Sequence, residues 1–419
     1  MSLDAFQQVY SLSRTSNMVN GYIGTQAHLQ ATLTDSVHAY VPTIGDWKIV
    51  WGPVVWKDQP NIPITGPDNS WFVAYNPSFT FEDGSVHPTY VVAIAGTASY
   101  SLYGWTQENF AVGTIVDFNK WVAEGISKAP EAVWPKDITT DGTYVSMGTI
   151  KAVHTLLTFP APPGTAAAGS SLLQFLSTLN DSSQARVVCT GHSLGGALSP
   201  TLALTLVSSG TFQAALGPSP GVLAYPTAGA SPGNRSFADL FAKTLPARKS
   251  PGSELGGYQV WNLNIANSLD VVPQAWCIMP EHSLAQNVDN IPTIYPLHSS
   301  LQHHLVSGVR PEAPPMTIIE FLNLASPQHT TFYLELLGVP EPEVSKTVVR
   351  QYGLVEKAEN EKRLGIPVIG NVEYAAEHPT EVQNAVSEAI AKNPALAPLA
   401  NGLSSVGSGI SSIITTKLF

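Results

Sequence analysis

The stretch Arg186-Val187-Val188-Cys189-Thr190-Gly191-His192-Ser193-Leu194-Gly195-Gly196-Ala197 decides the fold. Its first five residues are largely apolar and partly β-branched, the pattern of a buried parallel strand. From 197 to 207 the chain is rich in Ala and Leu and carries no charge, which predicts a buried helix. Between the two lies G-x-S-x-G. A strand, a glycine-flanked serine and a helix make the context in which this pattern reads as a nucleophile elbow, with Ser193 Oγ lifted out of the sheet. Gly191 and Gly195 leave room for the tight turn. The N-terminal N–H groups of the helix point to where an oxyanion would form. A serine in an ordinary glycine-rich turn shares the five-residue pattern but does not require both flanks.

Upstream, residues 4–33 read as a mostly helical, amphipathic opening with a break near Gly21. Short β-rich runs follow from Lys48, and Thr89-Tyr90-Val91-Val92-Ala93-Ile94 is a fully apolar central strand. That strand runs into Ala95-Gly96-Thr97, where Thr97 is placed to offer a backbone N–H and a hydroxyl to a developing negative charge. Tyr100, Leu102, Tyr103, Trp105 and Phe110 come next. So many aromatics beside an oxyanion turn suggest a cover over an apolar cleft; a helix with core aromatics is the plainer reading. His154, on a predicted helix, reads as a surface or groove histidine. After residue 89 strands alternate with helices, which argues for an α/β fold with a mostly parallel sheet covered on both faces.

Downstream, an acid is expected at the end of a later strand. Residues 221–225 and 257–263 read as the next two strands, and Asp270 follows the second within an apolar flank. A carboxylate there needs a partner, because burying it alone is costly. Asp239 and Asp289 are weaker candidates. His282, His298, His303 and His304 lie in a stretch that reads as irregular. His329 is on a predicted loop behind an apolar helix at 316–324, late enough to swing into line. The order Ser193, Asp270, His329 is that of the α/β-hydrolases.

Composition narrows the class. The chain has 419 residues, 44% hydrophobic, enough for a sizeable core. Only 12% are charged, about half the ~25% of an average soluble domain. That suits work near apolar material. Net charge is −11 with no basic cluster, so no nucleic-acid partner is expected. Two cysteines make no disulfide framework. No ligand cluster at metal spacing stands out, and neither metal nor cofactor is expected. No apolar run is long enough for a transmembrane helix, and no signal peptide is visible at the N-terminus. These readings leave localisation and oligomeric state open.

The elbow, Gly96-Thr97, Asn267-x-x-Asp270-Val271-Val272-Pro273, the late His329 and the segment Pro226-Thr227-Ala228-Gly229 with Gly233-Asn234-x-x-Phe237-Ala238 together resemble the class 3 lipases, the fungal-type triacylglycerol lipase family. The resemblance spans residues 90–337. It implies an α/β-hydrolase fold and Ser193 as nucleophile, His329 as general base and Asp270 as its orienting acid. It also implies an oxyanion hole from Thr97 and the Leu194 N–H, and a lid over 100–110. Ala95 stands where the family usually has Arg, and Ser146 where it often has His.

The expected activity is therefore serine ester hydrolysis, that of a lipase cleaving carboxylic esters of glycerol (triacylglycerol) through an acyl-Ser intermediate at a lipid–water interface. A soluble carboxylesterase or feruloyl-type esterase is the alternative, and a non-catalytic lipase-like scaffold a remote one. Residues 1–340 are expected to form the catalytic domain. Residues 341–419, where the composition shifts after Pro340 and Pro342, are expected to be a helical C-terminal extension with a tail.

Overall fold

The computed structural model describes residues 3–63, 65–98, 114–179, 185–212, 221–249, 257–267, 270, 272–274, 276–277, 293–295, 303–306 and 327–356. The expected lid residues Tyr100, Leu102, Tyr103 and Trp105 lie outside this set, as do Asp289, His282, His298, the predicted helix at 316–324 and everything beyond 356.

Among the described residues a seven-stranded sheet forms the centre. Its strands are β1 (Lys48–Trp56), β2 (Asn69–Thr80), β3 (Val86–Ile94), β4 (Arg186–His192), β5 (Val222–Thr227), β6 (Asn264–Asn267) and β7 (His303–Val306). They lie side by side in sequence order, β1 and β2 antiparallel and β3 through β7 mutually parallel. Parallel strands must be covered on both faces, and the side chains alternate to match. Val91, Ala93, Val188, Leu223 and Tyr225 enter one core with α1 (Ala5–Thr15) and α2 (Gln26–Ile44). Val92, Ile94, Val187, Cys189, Val222 and Ala224 enter the other with α3 (Met147–Thr158) and α4 (Leu194–Ser208).

Helix α4 has no charge to present to water and is buried from Leu194 to Leu206. It packs on β4, β5 and α3. Each of its buried leucines contributes about 1.5–3 kcal/mol relative to exposure, so this helix is fixed to the sheet through its whole length. Helix α1 begins with a capping box: Asp4 Oδ1 accepts the Gln7 N–H at 2.8 Å and Gln7 Oε1 accepts that of Asp4 at 2.9 Å. Residues 341–356 dock on these N-terminal helices. Val349 and Leu354 are buried in the α1–α2 core, Arg14 pairs with Glu341, and Val355–Glu356 pairs with Tyr22–Ile23.

One strand differs from its sequence reading. Residues 257–263 contribute only Val260–Trp261, paired with Arg248–Lys249 outside the main sheet, and β6 begins at Asn264. Asn262 is the cause. Its backbone is left-handed (φ 64°), its N–H donates to the Ala224 carbonyl, and its Oδ1 accepts the Ala224 N–H, each at 2.8 Å. One asparagine thus occupies the pairing position on β5 that a continuous strand would fill.

Candidate active site

Strand β4 ends at His192 and α4 begins at Leu194, leaving a single residue to turn the chain. That residue, Ser193, has φ 60° and ψ −121°. A side chain held there costs about 1–3 kcal/mol and persists only where the surroundings enforce it. They do: the Ser193 N–H donates to the Thr227 carbonyl at 3.0 Å, and its carbonyl accepts the N–H of Gly196 at 2.8 Å. A Cβ on Gly191 would meet the Gly195 backbone, and one on Gly195 the Ile94 carbonyl. Ser193 Oγ is therefore presented at the carboxyl ends of the parallel strands.

His329 reaches it from a short helical turn at 327–329 rather than from an extended loop. Its Nε2 lies 2.8 Å from Ser193 Oγ and its Nδ1 2.8 Å from Asp270 Oδ2. Asp270, three residues past β6, is buried at 1% exposure. It also accepts the Tyr333 O–H on Oδ2 at 2.9 Å and the Val272 N–H on Oδ1 at 3.0 Å. With the carboxylate accepting from every side, Nδ1 is the donor. The neutral imidazole then keeps Nε2 free to accept the serine proton.

Two further supports hold this arrangement. Tyr333 sits in α5 (Thr331–Leu337), and its hydroxyl accepts the Asn267 N–H at 2.8 Å while donating to Asp270. Burial first, then the Asp270 charge, hold its ionisation well above the ordinary tyrosine range, so it remains a donor. His192, the variable residue before Ser193, places Nε2 2.7 Å from the His329 carbonyl and Nδ1 2.9 Å from Thr227 Oγ1. A carbonyl only accepts, so Nε2 carries the proton and the Thr227 hydroxyl donates to Nδ1. Sequence reading missed both residues, because a buried tyrosine in an apolar helix and a histidine inside a motif show no spacing that reveals their partners.

Burial, followed by the neighbouring His329 and Arg14, holds the His192 pKa well below its ordinary 6.5. The folded protein therefore keeps His192 neutral while the unfolded chain protonates it below about pH 6.5. The unfolded state then binds more protons, so stability falls as pH drops through 6.5. From pH 6.5 to 5 this one residue is expected to remove up to about 1.4 kcal/mol per pH unit. Urea unfolding of His192→Gln, which keeps a donor for the His329 carbonyl, should show a correspondingly shallower decline than wild type.

The expected oxyanion residue Thr97 lies just past the end of β3. Ile94 pairs with Gly191, so Ala95-Gly96-Thr97 passes directly over the elbow. Gly96 lies so close that a Cβ on it would stand 2.8 Å from the His192 carbonyl oxygen and 3.2 Å from Ser193 Cβ. Thr97 follows, half-buried. Leu194 heads α4, whose first N–H groups have no acceptor within the helix. Other sequence candidates are elsewhere. Asp239 pairs with Arg235 on the exposed face of a helix, His154 Nε2 lies 3.1 Å from the Ser127 carbonyl, and His303 and His304 pair with Asn264 and Ile265 at the start of β6, away from Asp270. Among the described residues no group of three or more His, Cys, Asp or Glu is placed to hold a metal ion.

A parallel-centred sheet with a serine elbow, a histidine and a buried carboxylate at its carboxyl edge defines the α/β-hydrolase class. Residues 91–278 match the family described as Lipase (class 3). Among solved structures, the chain is similar to M37 lipase, with 22% identity, a TM-score of 0.54, and coverage of 84% of this chain and 100% of that one. It is more distantly similar to a Rhizomucor miehei lipase propeptide complex (17% identity, TM-score 0.33, 64% and 62% covered) and to nonglycosylated Yarrowia lipolytica LIP2 lipase (15%, 0.35, 64% and 73%). No curated protein matches.

Proposed function

We propose that the protein is a lipase that hydrolyses carboxylic esters of glycerol, triacylglycerol being its substrate class, through an acyl-Ser193 intermediate. The observation that carries this reading is the continuous path Ser193 Oγ, His329 Nε2, His329 Nδ1, Asp270 Oδ2, with both links at 2.8 Å. Nε2 takes the serine proton as Oγ attacks the ester carbonyl, and Asp270 holds the ring in the required tautomer and stabilises the imidazolium. The oxyanion is received by the N–H groups of Leu194 and Thr97. His329 then protonates the departing diacylglycerol alkoxide; in the second half it takes a proton from the water that attacks the acyl ester and returns it to Ser193 Oγ as the fatty acid leaves. The class 3 lipase match supports a lipid rather than an aryl ester as the acyl donor.

A profile over p-nitrophenyl esters from butyrate to palmitate, together with emulsified tributyrin and triolein, tests the substrate class. Hydrolysis of both triacylglycerols, with the rate climbing once the ester forms an interface, is expected. Activity confined to dissolved short-chain or aryl esters would replace the lipase reading with that of an esterase.

A further inference from the structure

The turn that carries Thr97 is gripped by two asparagines from the segment after α1. Asn17 Oδ1 accepts the Gly96 N–H at 2.8 Å, and Asn20 Nδ2 donates to the Gly96 carbonyl at 2.9 Å. Asn20 Nδ2 also donates to Asn17 Oδ1 at 2.9 Å, and Asn17 Nδ2 donates to the Ser13 carbonyl at 2.9 Å. An N–H can only donate and a carbonyl only accept, so the backbone partners fix the orientation of both amides. The segment itself is anchored. Met18 and Val19 are buried in the α1–α2 core, and the N–H groups of residues 17, 18 and 20 donate to carbonyls three residues back.

We infer that Asn17 and Asn20 are positioning residues that aim the Thr97 N–H at the oxyanion; this rests on the reading of Thr97 as a donor. The geometry of the peptide unit carries the inference. Gly96 C=O and Thr97 N–H belong to one planar trans peptide and point in opposite directions. Holding the carbonyl oxygen on Asn20 therefore sets the direction of the Thr97 N–H. The preceding peptide is set in the same way, by Asn17 on the Gly96 N–H. Without these bonds the turn depends on a glycine, the residue with the widest backbone freedom. No larger residue can replace it, because a Cβ would press on His192, Ser193 and Asn17 Oδ1. The clamp supplies the rigidity that Gly96 cannot.

The test compares Asn20→Asp and Asn20→Ala with wild type, with kcat expressed per site titrated by a fluorophosphonate, so that misfolded molecules are not counted. Loss of one oxyanion donor typically lowers turnover by ~10²–10³; a misdirected one should lower kcat by about 10- to 100-fold, with KM within about threefold. The Ki of phenylboronic acid, which forms a tetrahedral adduct on Ser193, should weaken in parallel. Asn20→Asp should be the more damaging, since a carboxylate would face the Gly96 carbonyl and Asn17 Oδ1. A mere packing role gives the opposite order, because Asp fills the space and Ala does not. Wild-type kcat in both variants, a loss in KM alone, or Ala worse than Asp would overturn the inference. Failure of the wild type to titrate would instead defeat the reading of Ser193 as nucleophile.

Discussion

Ser193→Ala is expected to lower kcat for ester hydrolysis by about 10⁵–10⁶-fold while leaving the fold intact. In the proposed mechanism Ser193 Oγ forms the acyl bond, and no other hydroxyl among the described residues stands at His329 Nε2. Removing Oγ also relieves nothing in the backbone: φ 60° at position 193 is imposed by the Thr227 and Gly196 hydrogen bonds, which alanine retains. Stability should therefore change by less than about 1 kcal/mol, the typical net worth of one hydrogen bond. Because Ser193 and His329 act as one unit, Ser193→Ala combined with His329→Ala should be scarcely slower than either alone. Steady-state kinetics on p-nitrophenyl butyrate, with urea unfolding as control, measures both quantities. A variant retaining more than a few per cent of the activity would remove Ser193 from the mechanism.

Asp270→Asn is expected to cost about 10⁴-fold in kcat with little change in shape. The substitution is isosteric, and its Oδ1 can still accept the Val272 N–H. Its NH2 group, however, would face His329 Nδ1 as a donor. Nδ1 must then accept, the ring proton moves to Nε2, and Nε2 can no longer receive the serine proton. The same NH2 would also oppose the Tyr333 O–H, so the Tyr333–Asn267 link weakens as well. KM should remain within a few-fold because no substrate contact is altered. A loss of less than about tenfold would mean that Asp270 only supports the chain. Asp239 would not then be a substitute, for its carboxylate is held by Arg235 on the exposed face of its helix.

The strand, serine and helix at 186–208 were legible because each has its own local pattern: a β-branched run, two obligatory glycines and an uncharged apolar helix. Asp270 and His329 were legible by chain order and by the cost of leaving a carboxylate alone in apolar surroundings. What escaped was set by contacts between segments far apart in sequence. Asn17 and Asn20 reach Gly96 across more than seventy positions, and nothing in residues 13–20 marks their amides as facing a strand end. Tyr333 was masked by its apolar neighbours, since the aromatic ring explains its burial without its hydroxyl. The strand at 257–263 failed for a local reason that only β5 supplies, the two-bond embrace of Ala224 by Asn262. The shift to Pro- and charge-rich composition after 340 suggests an extension; within it residues 341–356 pack against α1 and α2, where Val349 and Leu354 join that core, contacts that composition does not reveal.

The central claim is that Ser193 is the nucleophile activated by His329. Its most direct test is mass spectrometry of the full chain after reaction with a fluorophosphonate. The account predicts addition of one phosphonyl group, located on the peptide containing Ser193, and loss of that label in His329→Ala as well as Ser193→Ala. Absence of the adduct, or an adduct on another residue that persists with full activity in Ser193→Ala, would contradict it.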